Sequence, residues 1–285
     1  MGSHGRRSFD VGTMRCSALL DGYSSYEPEA VFADPAEERW RPLIADRLDA
    51  DGGLPLPLQP VLIRGADLVV LVDAGAGQEL AADWDEPVGT MLDELGSEGV
   101  AAEDVKLVVI THAHPDHVGG LLERVQGVNR PVFSGARHLL ARTEWVYWHS
   151  DDLSGPSAEM GPFVRSHLDD LEQAGVLELL DGDEEVAPGI HAFATPGHTP
   201  GHTSVLVSSQ DETMLIAGDA ILTEWSFEHP DLFGPGEVDP GTTVATRRAL
   251  VERSADEDWL VSAYHVPQVG RARRSGGGFT FTPEI

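Results

Sequence analysis

The chain has 285 residues, 41% of them hydrophobic, and a single cysteine, Cys16. That is enough apolar material for one large layered domain or two smaller ones, and it excludes an internal disulfide framework. Acidic residues outnumber basic ones 48 to 19, for a formal net charge of -29; such a surface repels a phosphodiester backbone, so nucleic acid is not an expected partner.

In chain order, residues 1–13 read as a flexible tail, with basic residues at Arg6 and Arg7 but no apolar run behind them to make an export signal. The longest apolar run, Val61 to Val72, is broken by Arg64 and Asp67 and falls short of a membrane span, so a soluble, cytoplasmic protein without a membrane partner is expected. Strand-like runs rich in Val, Leu and Ile occupy Met14 to Leu20, Val61 to Val72 around a turn at Gly65, Leu107 to Ile110, Ile190 to Ala194, Ser204 to Ser208, Thr213 to Ile216 and Trp259 to Ala263. Helical patterns lie between them, at Pro87 to Leu95, at Phe163 to Ala174, and after Asp239-Pro240, an N-cap followed by a proline in the first turn. Tyr23 to Leu58 and Trp225 to Gly241 read as irregular surface loops. The alternation predicts mixed sheets with helices on their outer faces, in one domain over residues 14–270 with a C-terminal tail at 271–285. Cys16 reads as a small buried hydrophobe.

The chemistry concentrates in Thr111-His112-Ala113-His114-Pro115-Asp116-His117, where a buried strand ends and presents three imidazoles and a carboxylate within six residues. Each imidazole at a strand end needs its own partner, and imidazole with carboxylate suits Zn2+ or another first-row ion. Further donors stand at comparable strand ends: His198 and His202 in the near-duplicated Pro-Gly-His-Thr and Pro-Gly-His turns, Asp219 after Gly218, and His265 in Tyr264-His265-Val266-Pro267.

In these residues the chain resembles the metallo-β-lactamase superfamily, with its His-x-His-x-Asp-His run, a Pro-Gly-His-Thr turn, an Asp after Gly and a late His. Leu71-Val72-Asp73-Ala74-Gly75 is similar to the family's early strand-end motif. The resemblance implies an αβ/βα four-layer sandwich of two mixed β-sheets flanked by helices. It further implies a dinuclear centre, in which His112, His114 and His198 hold one ion, Asp116, His117 and His265 the other, and Asp219 bridges them. Zn2+ is the expected metal, with Mn2+, Fe2+ or Co2+ as substitutes. A hydroxide bridging two such ions would attack the substrate, with Asp116 or Asp219 moving the proton. Asp73 and His202 are expected behind the ligands, Asp73 holding an imidazole by its free N–H.

The segments around Glu228-His229-Pro230-Asp231, Thr246-Arg247-Arg248 and His265-Val266-Pro267 are similar to the branch with methyl parathion hydrolase and N-acyl-homoserine lactonases. That implies a small-molecule lactone, carboxyl ester or phosphotriester as substrate, and a homodimer. Leu222 stands where the small lactonases carry a tyrosine. Trp145, Trp148, His149, Leu222, Trp225, Phe227 and His229 are candidate pocket residues. Three other functions fit the same pattern: a glyoxalase II-like thioesterase, a mononuclear iron persulfide dioxygenase using His112, His198 and Asp219, and a non-catalytic metal-stabilised binding module.

Overall fold

Alternation along the strands decides the architecture. In Val61–Arg64, Val61 and Ile63 join one apolar cluster while Leu62 joins another, and in Val69–Val72 the residues Val70 and Val72 part from Leu71 in the same way. Successive side chains of a strand point to opposite faces, so a sheet with both faces apolar must be covered on both. A computed structural model, which describes residues 8–33 and 37–284, shows how.

Two seven-stranded sheets stack face to face. The first runs in the order Ser8–Val11, Met14–Ala18, Val61–Arg64, Val69–Val72, Leu107–Val109, Arg137–Ala141 and Leu177–Leu180. Its first half is antiparallel and its second half parallel. The second sheet runs Glu184–Ala187, Ile190–Ala194, Thr203–Ser209, Glu212–Ile216, Leu260–Ser262, Gly270–Ser275 and Gly278–Pro283, with one parallel pair, between Glu212–Ile216 and Leu260–Ser262. Val61, Ile63, Val72, Val109 and Leu139 of the first sheet meet Val205, Val207, Met214 and Ile216 of the second in the central core. Outside the first sheet, Leu62, Leu71, Val108 and Leu140 pack on the helices Met91–Ser97 and Pro156–Gln173. Outside the second, Leu215, Val261 and Ala263 pack on the helix Pro240–Asp256. The result is the four-layer αβ/βα sandwich. Cys16 is buried in the central core, and burial pushes its thiol up to about 12, which keeps it in the unreactive protonated form.

Three segments depart from the sequence reading. Ser8–Val11 is an edge strand paired with Met14–Ala18, and Gly270–Ser275 with Gly278–Pro283 is a hairpin that extends the second sheet, so both predicted tails contribute sheet structure; residues 1–7 of the first lie outside the described residues. Arg271, Arg273 and Arg274 are held there by carboxylates of Asp258, Glu284, Glu252 and Asp256. The helix expected over Pro87 to Leu95 begins only at Met91, because the buried Asp21 carboxylate accepts the N–H groups of Gly89 and Met91 and holds that stretch in a turn. The segment Tyr23 to Leu58 is a hairpin, Gly22–Tyr26 with Leu54–Leu58, which brackets the helices Pro28–Val31 and Glu37–Ile44. As predicted, Asp239 caps the helix Pro240–Asp256, accepting the N–H of Thr242 at 3.0 Å. Among the described residues, no helix is long and apolar enough to cross a membrane.

Candidate metal centre

Loops at one end of the stacked sheets bring the seven predicted donors together. His112, His114, His198 and Asp219 form one group of potential ligand atoms and Asp116, His117 and His265 another, each with its atoms within 4.8 Å of one another. All seven residues are buried. Asp219 lies between the groups: its Oδ2 is 3.3 Å from His198 Nε2 and 3.4 Å from His265 Nε2, and its Oδ1 is 3.5 Å from His117 Nε2.

Close backbone approach makes this convergence possible. A Cβ on Gly120 would stand 2.0 Å from the carbonyl oxygen of Ala74, so glycine there lets the turn after His117 dock on the loop that carries Asp73. Gly218 has φ +55, and a Cβ on it would meet His202 Nε2 at 2.7 Å. That contact lets the Asp219 N–H donate to His202 Nε2 at 3.1 Å.

The hydrogen-bond partners assign the tautomers. His117 Nδ1–H donates to Asp73 Oδ2 at 2.9 Å, and His265 Nδ1–H donates to the Pro57 carbonyl at 3.0 Å. His198 Nδ1–H donates to Glu237 Oε2 at 3.0 Å. The Thr111 hydroxyl donates to Asp73 Oδ2 and therefore accepts from His112 Nδ1–H at 3.1 Å. In each neutral ring the Nε2 lone pair is left facing the centre. His112 Nε2 and His198 Nε2 both point at His114 Nδ1 from 2.9 Å, and a single proton there cannot serve two acceptors. On the other side, His265 Nε2 faces Asp116 Oδ2 at 3.4 Å, acceptor against acceptor. His117 Nε2 and Asp219 Oδ1 are buried with no hydrogen-bond partner among the described residues. A shell with more lone pairs than donors at its centre fits cations.

The electrostatics agree. Burial and the neighbouring imidazoles hold His112 and His114 well below the usual histidine range. Against the same burial, the carboxylates of Asp219, Asp116 and Asp73 hold His117 well above it, and Glu237 and Asp219 raise His198. Asp219 is itself kept well below the carboxylate range, despite burial, by His265 and His117. A proton on His117 or His198 supplies the positive charge for which these carboxylates are arranged.

Asp73 lies behind the candidate donors His117 and His112, also accepting the Thr111 N–H at 2.8 Å. His202 lies behind Asp219, held through Nδ1 by the Thr195 hydroxyl at 2.8 Å and lowered by burial to about 3. Several contributors went unrecognised in the sequence. Glu144, fully buried, accepts from the N–H of Ala113, the indole of Trp148, the hydroxyl of Thr199 and the N–H of Gly201, bracing the His112–His114 loop against the His198–His202 turn. Tyr264 stacks on His117 with centroids 3.8 Å apart and donates its hydroxyl to the Asp116 carbonyl. Glu237 and the buried Arg247 stand behind His198.

A cavity of about 160 Å³ opens onto the donors, walled by Tyr26, Val31, Leu56, Met160, Leu222 and the backbone of Gly234 and Gly236. No Lys or Arg lines it among the described residues. Of the residues proposed for the pocket, Leu222 alone is in this wall and none of the aromatic or histidine candidates is; Trp225 lines a neighbouring cavity of about 340 Å³ that shares Leu56 and His265 with the first. The others are placed elsewhere. Trp148 is buried edge-on to His114, and Phe227 is buried in a stack on Phe281 of the C-terminal hairpin. Trp145 stacks on His149, which pairs with Asp169, and the His229 backbone turns back to Trp225. These rings close the core and loop packing, where apolar area is removed from water, and leave the cavity wall to Tyr26 and aliphatic side chains.

The pattern of the metallo-beta-lactamase superfamily matches residues 55–265, which include all seven donors. A probable metallo-hydrolase of Bacillus subtilis, YflN, is 26% identical over 72% of this chain and 78% of its own length. Metallo-beta-lactamase domain-containing protein 1 of Xenopus laevis is 31% identical over 73% of this chain and 69% of its own. In structure, the chain superposes on AidC, a dizinc quorum-quenching lactonase with a product bound, at a TM-score of 0.87 and 24% identity over 99% of this chain and 98% of that one. The fold, the donor set and the matched span agree: this chain belongs to the metallo-β-lactamase superfamily.

Proposed function

We propose that the chain is a dinuclear metal-dependent hydrolase of small, uncharged lactones, carboxyl esters or phosphotriesters. The observation that carries the reading is the pair of donor groups around Asp219, in which buried lone pairs face one another in greater number than the protons that could satisfy them. His112, His114, His198 and Asp219 would hold one ion, Zn2+ in this reading, and Asp116, His117, His265 and Asp219 the other. When bound, two such ions would supply a water whose pKa is lowered to about 7 and an electrophilic contact for the substrate oxygen.

The chain's own residues supply position and proton traffic. Asp116 lines the cavity and is placed to take the proton released when water adds to the substrate, then return it to the leaving alcohol as the acyl or phosphoryl oxygen bond breaks. Asp73, Glu237 and the Pro57 carbonyl fix the rings of His117, His198 and His265. Tyr26, edge-on to His265, and the aliphatic wall exclude water from the substrate's apolar part. Among the described residues no Lys or Arg lines that wall while Asp116, Asp219 and Glu237 do, which favours this reading over a glyoxalase II-like thioesterase acting on an anionic thiol carrier. AidC, a lactonase with product bound, has the same fold and adds support for a lactone.

The test is metal analysis of protein purified without added metal or chelator, followed by a panel of lactones, aryl esters and phosphotriesters. About two zinc per chain with turnover of one panel class, lost in Asp219→Ala while the fold persists, supports the proposal. About one iron per chain with oxygen consumption, or wild-type rates in Asp219→Ala, overturns it.

A further inference from the structure

A buried ion pair stands behind the candidate centre. Arg247, on the helix Pro240–Asp256, is 0% exposed. Its Nε donates to the Ala220 carbonyl at 2.9 Å, and its Nη1 donates to the carbonyls of Leu232 and Pro230. Its Nη2 donates to Glu237 Oε1 at 3.1 Å. The other oxygen of that carboxylate, Oε2, accepts His198 Nδ1–H at 3.0 Å and the Thr243 hydroxyl at 3.0 Å. One guanidinium thus ties three backbone carbonyls of the loop after Asp219 to the carboxylate that holds His198 by its outer nitrogen.

Two buried charges cost several kcal/mol each to desolvate, and a packed apolar pair serves stability as well or better. The pair needs another reason to be here, and its geometry supplies one. A carboxylate on the outer N–H of a ligating imidazole fixes the tautomer, sets the ring plane and increases the basicity of the inner nitrogen. We infer that Glu237 is the positioning residue of His198, and that Arg247 couples its placement to the 220–237 loop that walls the cavity. Metal affinity on the side of His112, His114 and His198 is then set from outside the ligand set. The inference rests on the dinuclear reading of the site.

Zinc binding by the purified full-length chain, measured by equilibrium dialysis in chelator-buffered zinc, tests it with thermal unfolding measured alongside. Glu237→Gln keeps the size but loses the charge, and is expected to weaken one of the two zinc ions about 10–100-fold and leave the other near its native affinity. Glu237→Asp keeps the charge beside Arg247, so the guanidinium is not left unpaired, but withdraws the carboxylate from His198; a smaller loss on the same ion is expected. Where the Gln variant fails to fold, the Asp variant decides. Native affinity for both ions in a folded variant overturns the inference, as does equal weakening of both. A wild-type chain that binds no zinc overturns the dinuclear reading together with it, which separates that failure from a failure of Glu237 alone.

Discussion

Asp73 Oδ2 lies 2.9 Å from His117 Nδ1 across 44 residues of sequence, and the same oxygen accepts the Thr111 hydroxyl at 2.8 Å. One carboxylate therefore fixes the tautomers of two candidate ligands, His117 directly and His112 through Thr111. Asp73→Asn replaces one acceptor oxygen with a donor: in place of Oδ2 it strips both the His117 N–H and the Thr111 hydroxyl of their acceptor, and in place of Oδ1 it strips the Thr111 N–H. Zinc affinity is expected to fall about 10–100-fold. Chelator competition checks this, and unchanged affinity would mean that ring orientation is fixed by packing alone.

The prediction for Glu144 concerns stability. Its Oε1 accepts from the Ala113 N–H and the Trp148 indole, and its Oε2 from the Thr199 hydroxyl and the Gly201 N–H. Four donors leave no room for an amide: Glu144→Gln turns an N–H2 toward two of them. Each donor left buried without an acceptor costs about 1–3 kcal/mol. With two donors unpaired, urea unfolding should show a loss of about 2–6 kcal/mol with an unchanged m-value.

What was legible in the sequence follows a physical division. The His112–His117 run was readable because four donors are adjacent in the chain, and the later donors because each ends a strand with its own turn signal. Asp73 was readable for the same reason. Glu144, Glu237 and Tyr26 were not, since they approach the centre only through tertiary packing: Glu237 lies 39 residues from His198. The aromatics misled because their area suits a pocket wall and a core equally well. Phe227 is buried against Phe281, and only the C-terminal hairpin, read as a tail, reveals that.

Acid stability depends on a histidine remote from the centre. His138 is fully buried in the first sheet, and burial lowers it to about 4 against the opposing hydrogen bond to the Ala136 carbonyl. An unfolded histidine titrates near 6.5. Between about 6.5 and 4 the unfolded chain holds a proton that the folded one does not. Stability therefore falls with falling pH through that window, by about 1.4 kcal/mol per pH unit from this residue, and is independent of it above. His138→Leu removes the titration at similar volume. Chemical unfolding between pH 7 and 4.5 should show a shallower decline in the variant; an identical slope would place the titration elsewhere.

Substrate size should follow the cavity wall. At about 160 Å³ the space beside Asp116 and Asp219 is smaller than the roughly 300–1,000 Å³ of pockets for drug-sized ligands, so a short acyl or aryl group is the expected fit. Met160 closes one side from the helix Pro156–Gln173 and is only partly buried, at the edge of the outer apolar layer. Met160→Ala opens space without touching a candidate ligand. The larger neighbouring cavity lies beyond Leu56 and His265, so the gain should come from the Met160 side alone. A methylene in an apolar pocket is worth about 1–3 kcal/mol of discrimination, so kcat/KM for esters longer by one or two methylenes should rise about tenfold relative to short ones. The measurement is a homologous series of acyl esters on wild type and variant with equal metal loading. A preference that does not move with Met160 would place the acyl group along Leu56 and Trp225, and Leu56→Ala would then shift it instead.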